Sequence, residues 1–184
     1  MTCARLRSAV VAIVADEGIE SFSAERLALR SGFGFEVLDA HYASAAACLY
    51  DAYEEVSRSI HQDFAAAFAA EPSWYEGLAL AGRTLLARLA SDPDEARFCF
   101  VEVLRGDHEL ARLRADSRRR LVDLFVAELR RRCDNEVPRM QLELLIGAAF
   151  QAIASAINGG NITELPGIMP ELTSRAYVFQ PAAA

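Results

Sequence analysis

The stretch SGFGFEVLDAHYASAAACLYDAY, residues 31–53, decides the fold of this chain. Gly32 and Gly34 allow a sharp turn, and the residues after them predict a short helix from about Phe35 to His41. Ser44 then stands where it can cap a long helix. A tight turn followed by a short helix and then a long one is typical of a helix-turn-helix arrangement whose outer helix stays exposed.

The residues before this turn predict two more helices. Residues 4–15 carry an apolar stripe at helical spacing, and Gly18 stands where a helix-ending glycine is expected. Ser23 can cap a further helix from about Ala24 to Arg30. The apolar residues that can close a small core in this region are Leu27, Phe33, Leu38 and Tyr42. The sequence therefore predicts a three-helix unit that ends near residue 43.

The helical period continues through the rest of the chain. Apolar residues three and four apart run from about Ser44 to Ala70, and Pro72 ends this pattern. Further helices are predicted over residues 73–90, 93–104, 107–133, 137–158 and 165–177, with glycine, proline and asparagine signals between them. Because strand alternation is nowhere sustained, we expect an all-α fold of about nine helices.

Composition limits the classes of function. The chain has 184 residues, of which 53% are hydrophobic and 24% charged, as expected for a folded protein with a good core. No apolar run reaches the ~20 residues that a membrane-spanning helix needs. No N-terminal leader is recognisable either, so the sequence predicts a cytoplasmic protein without a membrane partner.

The chemistry-bearing residues form no recognisable catalytic or metal motif. The four cysteines lie far apart and form no CxxC pair, which favours free thiols over a zinc or redox site. The three histidines are scattered, and the sequence contains no zinc-protease motif, nucleophile elbow or glycine-rich phosphate loop. We therefore expect no enzyme, no catalytic residue, no metal and no cofactor.

The spacing over residues 6–48 resembles the DNA-binding domain of the TetR (tetracycline repressor-like) family of transcriptional regulators. The residues that carry the resemblance are Val10, Ile13 and Val14 before Asp16-Glu17-Gly18, then Leu27-Ala28, Gly32-Phe33, Leu38, His41-Tyr42 and Ser44. Beyond them only helix number and length are shared. The resemblance implies a helix-turn-helix DNA-binding domain over residues 1–43 and a helical ligand-binding and dimerisation domain over residues 44–184. It also implies a homodimeric repressor that a small hydrophobic effector releases from double-stranded DNA.

The helix that would read DNA departs from the family pattern. The family usually has a Lys, a small residue, a Thr and a Tyr before the His-aromatic pair, whereas this chain has Phe35, Glu36, Val37 and Asp39. Residues 1–39 contain four arginines and six acidic residues, hence a net charge of −2, although such domains are normally basic. The residues that remain to contact DNA are Ser23, Arg26, Arg30, Phe35, Glu36, Val37, His41 and Ser44.

These departures leave a second hypothesis open. In it the chain keeps the fold but has lost DNA binding, and it acts through ligand or protein binding instead. Phe35, Val37 and Leu38 would then belong to an apolar surface that a partner protein can cover.

Aromatic residues of the second domain are the candidate ligand contacts. The family places the helices that carry them around a cavity, and a largely apolar cavity suits a hydrophobic ligand. Aromatic stripes at helical spacing are also typical of an ordinary core, so this interpretation stays open as well. The candidate pocket residues are Phe64, Phe68, Trp74, Tyr75, Phe98, Phe100 and Phe125.

The helix predicted over residues 137–158 carries many apolar and small residues, and the next predicted helix has its own apolar face. The resemblance implies that these two helices pair with their mates in a four-helix bundle between subunits. The candidate interface residues are Leu145, Ala149, Phe150, Ile153, Ile157, Ile168 and Leu172.

Residues 105–139 form the basic stretch of the chain, with ten arginines and seven acidic residues. Acids interrupt the arginines throughout, which favours a solvated helix face over a nucleic-acid patch.

Overall fold

The computed structural model describes residues 2–132 and 138–168, and in these residues the chain forms helices without a strand. The α-helices are α1 (Thr2–Glu17), α2 (Ala24–Ser31), α3 (Phe35–His41), α4 (Ala45–Ala69), α5 (Trp74–Ser91), α6 (Pro93–Phe100), α7 (His108–Arg132) and α8 (Arg139–Asn158). Short 3-10 helices cover Ile19–Ser21, Glu102–Arg105 and Ile162–Ile168. The all-α prediction is confirmed, and the eight α-helices of the described residues are close to the nine expected.

Two predicted helices differ from the structure at their ends. The helix expected over residues 93–104 stops at Phe100, and a 3-10 turn follows that brings the Glu102 side chain into the interior. The helix expected over residues 165–177 begins in a described segment, where Ile162–Ile168 is a 3-10 helix. The remainder of that predicted helix lies outside the described residues.

Local capping signals account for the helix-turn-helix unit. The Ser23 side chain accepts a hydrogen bond from the Arg26 N–H at 3.3 Å, and the Ser44 side chain accepts one from the Ala47 N–H at 3.1 Å. Gly32 ends α2 with a φ of 71°, a left-handed conformation in which a side chain would be strained. The caps and the turn therefore lie where the sequence predicts them.

The helix-turn-helix unit shares its core with the rest of the chain. Leu27 of α2 and Leu38 of α3 are buried against the apolar stripe of α1, and α1 packs in turn against α4 and α6. A movement of α4 or α6 can therefore displace α1 and the unit that it supports.

A second buried cluster lies between α4, α5, α7 and α8 and is rich in aromatic rings. The ring of Phe125 lies 5.7 Å from that of Phe64, 5.9 Å from that of Phe68 and 6.4 Å from that of Trp74. These distances are typical of favourable aromatic packing. Among the described helices, α8 is also long and apolar enough to cross a bilayer, a property that core helices share.

Candidate functional site

The α3 helix lies on the surface of the helix-turn-helix unit, as a helix that enters the major groove must. Leu38 is its buried residue, whereas Glu36 and His41 are exposed and Val37 is half-buried. Phe35 is 50% exposed at the start of the helix. The surface of α3 is therefore accessible, but it presents an aromatic ring and a carboxylate where the family usually presents a lysine.

The two arginines of α2 are paired with acids at the end of α1. The Arg26 guanidinium lies 2.8 Å from the Glu17 carboxylate, and that of Arg30 lies 2.8 Å from the Asp16 carboxylate. All four side chains are partly exposed, and exposed pairs of this kind contribute only about 0–1 kcal/mol. Arg26 and Arg30 can therefore turn towards phosphate at little cost, but the two acids stay beside them.

The other two arginines of the unit are also engaged within the chain. Arg5 donates a hydrogen bond to the Ser31 carbonyl at 3.1 Å and stacks over the Phe33 ring. Arg7 lies 3.1 Å from the Glu55 carboxylate of α4. Within residues 2–43, all of which the structure describes, every arginine thus has an intramolecular partner.

Three further candidate DNA contacts, Ser23, Ser44 and His41, already have contacts within the chain. Ser23 and Ser44 serve as helix caps, so each hydroxyl already accepts a backbone hydrogen bond. The Nδ1 atom of His41 lies 3.8 Å from the Sγ atom of Cys3. Local order on this side of the unit therefore comes from contacts with α1 and from the caps.

Three of the seven candidate pocket residues line cavities, and the other four do not. Phe64 and Phe125 line an apolar cavity of about 80 Å³ between α4, α5, α7 and α8. Phe100 lines two neighbouring cavities, of about 30 Å³ and about 130 Å³. The others are Phe68, Trp74 and Phe98, which are packed in the core, and Tyr75, which is half-buried near the start of α5.

Of the candidate dimer residues of α8, Ile153 and Ile157 face inwards, whereas Leu145, Ala149 and Phe150 are half-buried. Ile153 and Ile157 are 1% and 2% exposed within the single chain, so they offer almost no surface to a second copy. The side chains of Leu145, Ala149, Phe150 and Ile153 line the 80 Å³ cavity. Because α8 is apolar on more than one side, periodicity alone could not tell its inner face from its outer one.

The outer face of α8 carries the exposed apolar residues instead. Met140 and Leu144 are each 67% exposed, and Ala148 continues the same stripe at a spacing of four. The side chain of Ile168 and the whole of Leu172 lie outside the described residues.

The 30 Å³ cavity contains polar groups that are not among the residues predicted from the sequence. The Nε2 atom of His61 lies 3.3 Å from the Oγ atom of Ser117, and both side chains line the 30 Å³ cavity. Burial lowers the pKa of His61, and the positive charge of Arg120 lowers it further. His61 is therefore held in its neutral form more strongly than a histidine in water.

This burial predicts a pH dependence of stability. The unfolded chain binds a proton at His61 near pH ~6.5, more readily than the folded chain does, so stability is lost as the pH falls below that value. His61→Gln is expected to flatten this fall, and His108→Gln, at an exposed histidine, is the control variant. The measurement is the midpoint of thermal unfolding between about pH 5 and about pH 8. An equal slope in the wild type and His61→Gln would contradict the prediction.

Two arginines that line the 130 Å³ cavity are also not among the residues predicted from the sequence. Arg114 and Arg118 line the 130 Å³ cavity and belong to no ion pair among residues 2–132 and 138–168. The sequence does indicate that Arg114 and Arg118 are unpaired within α7, because neither has an acid three or four positions away. Arg112, by contrast, has both Glu109 and Asp116 at those spacings and pairs with both.

Solved structures of regulators share this fold over nearly the whole chain. The fatty acid degradation regulator FadR from Bacillus halodurans has a TM-score of 0.84 and 13% identity, covering 97% of this chain and 99% of its own. FadR from Bacillus subtilis, solved in complex with stearoyl-CoA, has a TM-score of 0.80 and 13% identity, covering 93% and 95%. A TetR family transcription regulator from Marinobacter aquaeolei VT8 has a TM-score of 0.69 and 17% identity, covering 93% and 94%.

No family model matches the sequence, and no curated protein sequence matches it. The fold expected from the TetR resemblance is confirmed by the structural likeness.

Proposed function

We propose that this protein, whose chain has the fold of the TetR-like regulators, is a cytoplasmic, homodimeric transcriptional regulator under the control of a small hydrophobic effector. The observation that carries the proposal is the extent of the likeness, which includes both the exposed α3 and the helical body with its apolar cavity. Residues 1–43 act as the DNA-binding domain and residues 44–184 as the ligand-binding and dimerisation domain. We infer no catalytic role, and the expected action is repression.

The homodimer forms through the outer face of α8. Met140, Leu144 and Ala148 lie one helical turn apart and leave apolar surface exposed on the single chain. A two-fold pairing of this face is self-complementary, and two copies of α3 are needed to reach half-sites ~34 Å apart on DNA.

The effector places its apolar part in the cavity between α4, α5, α7 and α8. Phe64 and Phe125 contact it there, and all the side chains around this cavity are apolar. The FadR structure from Bacillus subtilis, with stearoyl-CoA bound, makes a ligand with a long alkyl chain a suitable model. Because drug-sized ligands occupy about 300–1,000 Å³, the cavity must widen when the effector enters.

The pairing of Arg26 and Arg30 with Glu17 and Asp16 favours a second candidate function. With these charges satisfied internally, the chain can act through its ligand or a protein partner without contacting DNA. Leu29 of α2 is 81% exposed and Phe35 of α3 is 50% exposed, so apolar surface is available on this unit.

Binding to fragments of the chain's own upstream region, followed across a salt series with excess unrelated DNA, separates the two functions. Saturable and sequence-selective binding with a steep salt slope is expected of the regulator. If the protein is a folded dimer without ligand and shows no selective binding at low salt, the DNA-binding proposal is contradicted. The second candidate is then favoured.

The double variant Asp16→Asn, Glu17→Gln is expected to bind DNA more tightly than the wild type. It frees Arg26 and Arg30 from their partners, and releasing two exposed pairs corresponds to roughly two- to tenfold in affinity. The measurement is the same salt series, in which the slope should also steepen. Glu20→Gln combined with Glu25→Gln is the matched control, because it removes two exposed acids of the same unit that take part in neither pair. An equal gain in this control would mean that net charge alone is responsible.

A further inference from the structure

Three cavities meet at a single side chain. The apolar 80 Å³ cavity and the 30 Å³ cavity share Phe64, Leu85, Leu121 and Phe150 as lining residues. The 30 Å³ cavity and the 130 Å³ cavity share Phe150 with Cys99 and Phe100. Phe150 of α8 therefore borders all three, and its ring packs 5.1 Å from the ring of Phe100.

The three cavities, called inner, middle and outer in the order 80, 30 and 130 Å³, differ in chemistry. Only apolar side chains and a glycine line the inner cavity. The middle cavity adds His61 and Ser117, and the outer cavity adds Arg114 and Arg118. Polarity and positive charge thus increase from the inner cavity to the outer one, whose lining includes the exposed side chains of Leu104 and Arg118.

Arg114 and Arg118 lie one turn apart on the same side of α7, beside the outer cavity. Neither guanidinium is paired with an acid of the described chain, whereas Arg112, Arg119 and Arg131 of the same helix are. Across the cavity Gly147 of α8 leaves open space, since nothing lies within 4 Å of the position that a Cβ atom would take. Two unpaired guanidinium groups with room in front of them form a suitable site for a carboxylate or phosphate.

The distance along this route suits an elongated molecule. Arg114 at the outer cavity and Phe125 at the inner one are eleven residues apart on α7, which corresponds to about 16 Å. None of the three cavities alone reaches the ~300 Å³ of a small ligand pocket. A turn of the Phe150 ring would join them, because that ring is the lining group common to all three.

We propose that the three cavities are the closed form of one channel for a long-chain amphiphile, whose anionic head binds Arg114 and Arg118 and whose alkyl chain passes Phe150 into the inner cavity. The inference rests on the proposed function for the existence of an effector, and it adds the effector's chemical class, its orientation and the side chain that must move. A free fatty acid and an acyl thioester of a phosphate-bearing carrier share this chemistry.

The test is ligand titration of the full chain in the absence of DNA. Trp74 is the only tryptophan, and its ring lies 6.4 Å from that of Phe125 at the inner cavity, so its fluorescence should report entry of the alkyl chain. Palmitate, palmitoyl-CoA and the uncharged hexadecanol are the probes. The wild type is expected to bind both anionic probes more tightly than the alcohol.

The double variant Arg114→Gln, Arg118→Gln is expected to bind palmitate or palmitoyl-CoA about tenfold or more weakly, because charge-assisted hydrogen bonds are lost. Binding of hexadecanol should change less than twofold. Arg119→Gln combined with Arg130→Gln is the matched control, since it also removes two exposed arginines of the same helix, both outside the three cavities. If the double variant binds palmitate more weakly, the carboxylate binds the two arginines. If only the affinity for palmitoyl-CoA falls, the phosphates bind them. Both outcomes support the anion site.

Phe150→Leu tests the moving side chain, because leucine keeps the position apolar while removing the ring. Stopped-flow mixing with palmitate should show faster association than in the wild type, and thermal unfolding should verify that the variant is folded. An unchanged or slower rate would overturn the role of Phe150.

Equal losses of affinity for palmitate and hexadecanol, equal losses in the control with Arg119→Gln and Arg130→Gln, or no binding of any of the three probes would overturn the channel. Failure of DNA binding has no effect on this titration, so it is recognised separately in the salt series on upstream DNA.

Discussion

Arg132→Ala is expected to lower the free energy of unfolding by roughly 3 kcal/mol, as hydrogen bonds to a charged group typically contribute. Only 6% of the Arg132 side chain is exposed. Its guanidinium donates to the carbonyls of Glu71, Phe68 and Ser73, at 2.6, 3.0 and 3.3 Å. Without it these acceptors lose a partner that buried groups require.

The position of these carbonyls explains why water cannot easily replace the guanidinium. Phe68 belongs to the last turn of α4, whose carbonyls have no partner within the helix. Gly77 brings α5 so close that a Cβ atom there would lie 2.6 Å from the Phe68 carbonyl oxygen. The Arg132 side chain also stacks on the Phe68 ring at 4.9 Å. The end of α7 therefore fastens the turn between α4 and α5.

The measurement is the free energy of unfolding in urea, compared between Arg132→Ala and the control Arg131→Ala. Arg131 is 60% exposed, and its pairing with Glu128 at the surface should contribute less than about 1 kcal/mol. Arg132→Lys is expected to lose most of the same stability, because an ammonium group lacks the planar fork that reaches several carbonyls. Equal losses in the Arg131 and Arg132 variants would show that the carbonyl contacts contribute little.

The helix-turn-helix unit could be predicted from sequence because its signals are local. A capping serine acts on an amide three residues later, as Ser23 and Ser44 do, and the left-handed glycine at Gly32 ends the helix that contains the residues just before it. Such features need no knowledge of tertiary structure. The same reasoning placed α4, α5 and α7 within one or two residues of their observed ends.

The candidate sites could not be predicted in this way, because they depend on which surfaces meet. The pairing of Arg26 with Glu17 joins α2 to α1 and has no helical spacing that would reveal it. The inward position of Ile153 and Ile157 depends on how α8 is rotated against α6 and α7. Phe150 borders three cavities only because α4, α6, α7 and α8 converge there.

Glu102→Ala is expected to lower the free energy of unfolding by about 2–3 kcal/mol and to weaken the connection between the two parts of the chain. The Glu102 side chain is completely buried. Its Oε2 atom accepts a hydrogen bond from the Ile19 N–H at 3.3 Å, and its Oε1 atom lies 2.9 Å from the Arg97 guanidinium. Losing a buried partner of this kind often costs about 3–5 kcal/mol, but Arg97 is 41% exposed and can be hydrated again.

Glu102 joins two segments that are far apart in the sequence. Ile19 lies in the turn between α1 and α2, whereas Glu102 follows α6 in the helical body. Movement of α6 when the neighbouring cavities open would act on this hydrogen bond and thereby on the helix-turn-helix unit. Glu102→Gln keeps an oxygen acceptor for Ile19 but removes the ion pair, so it should retain more of the connection than alanine does.

Two measurements check this prediction. Urea unfolding gives the loss of stability, and hydrogen exchange of the Ile19 amide should be accelerated in Glu102→Ala more than in Glu102→Gln. Glu20→Ala serves as the control, because Glu20 is exposed in the same short turn. If Ile19 exchanges at the wild-type rate in Glu102→Ala, the carboxylate does not hold the turn. The coupling of α6 to the helix-turn-helix unit must then run through the packing of α1 against α6.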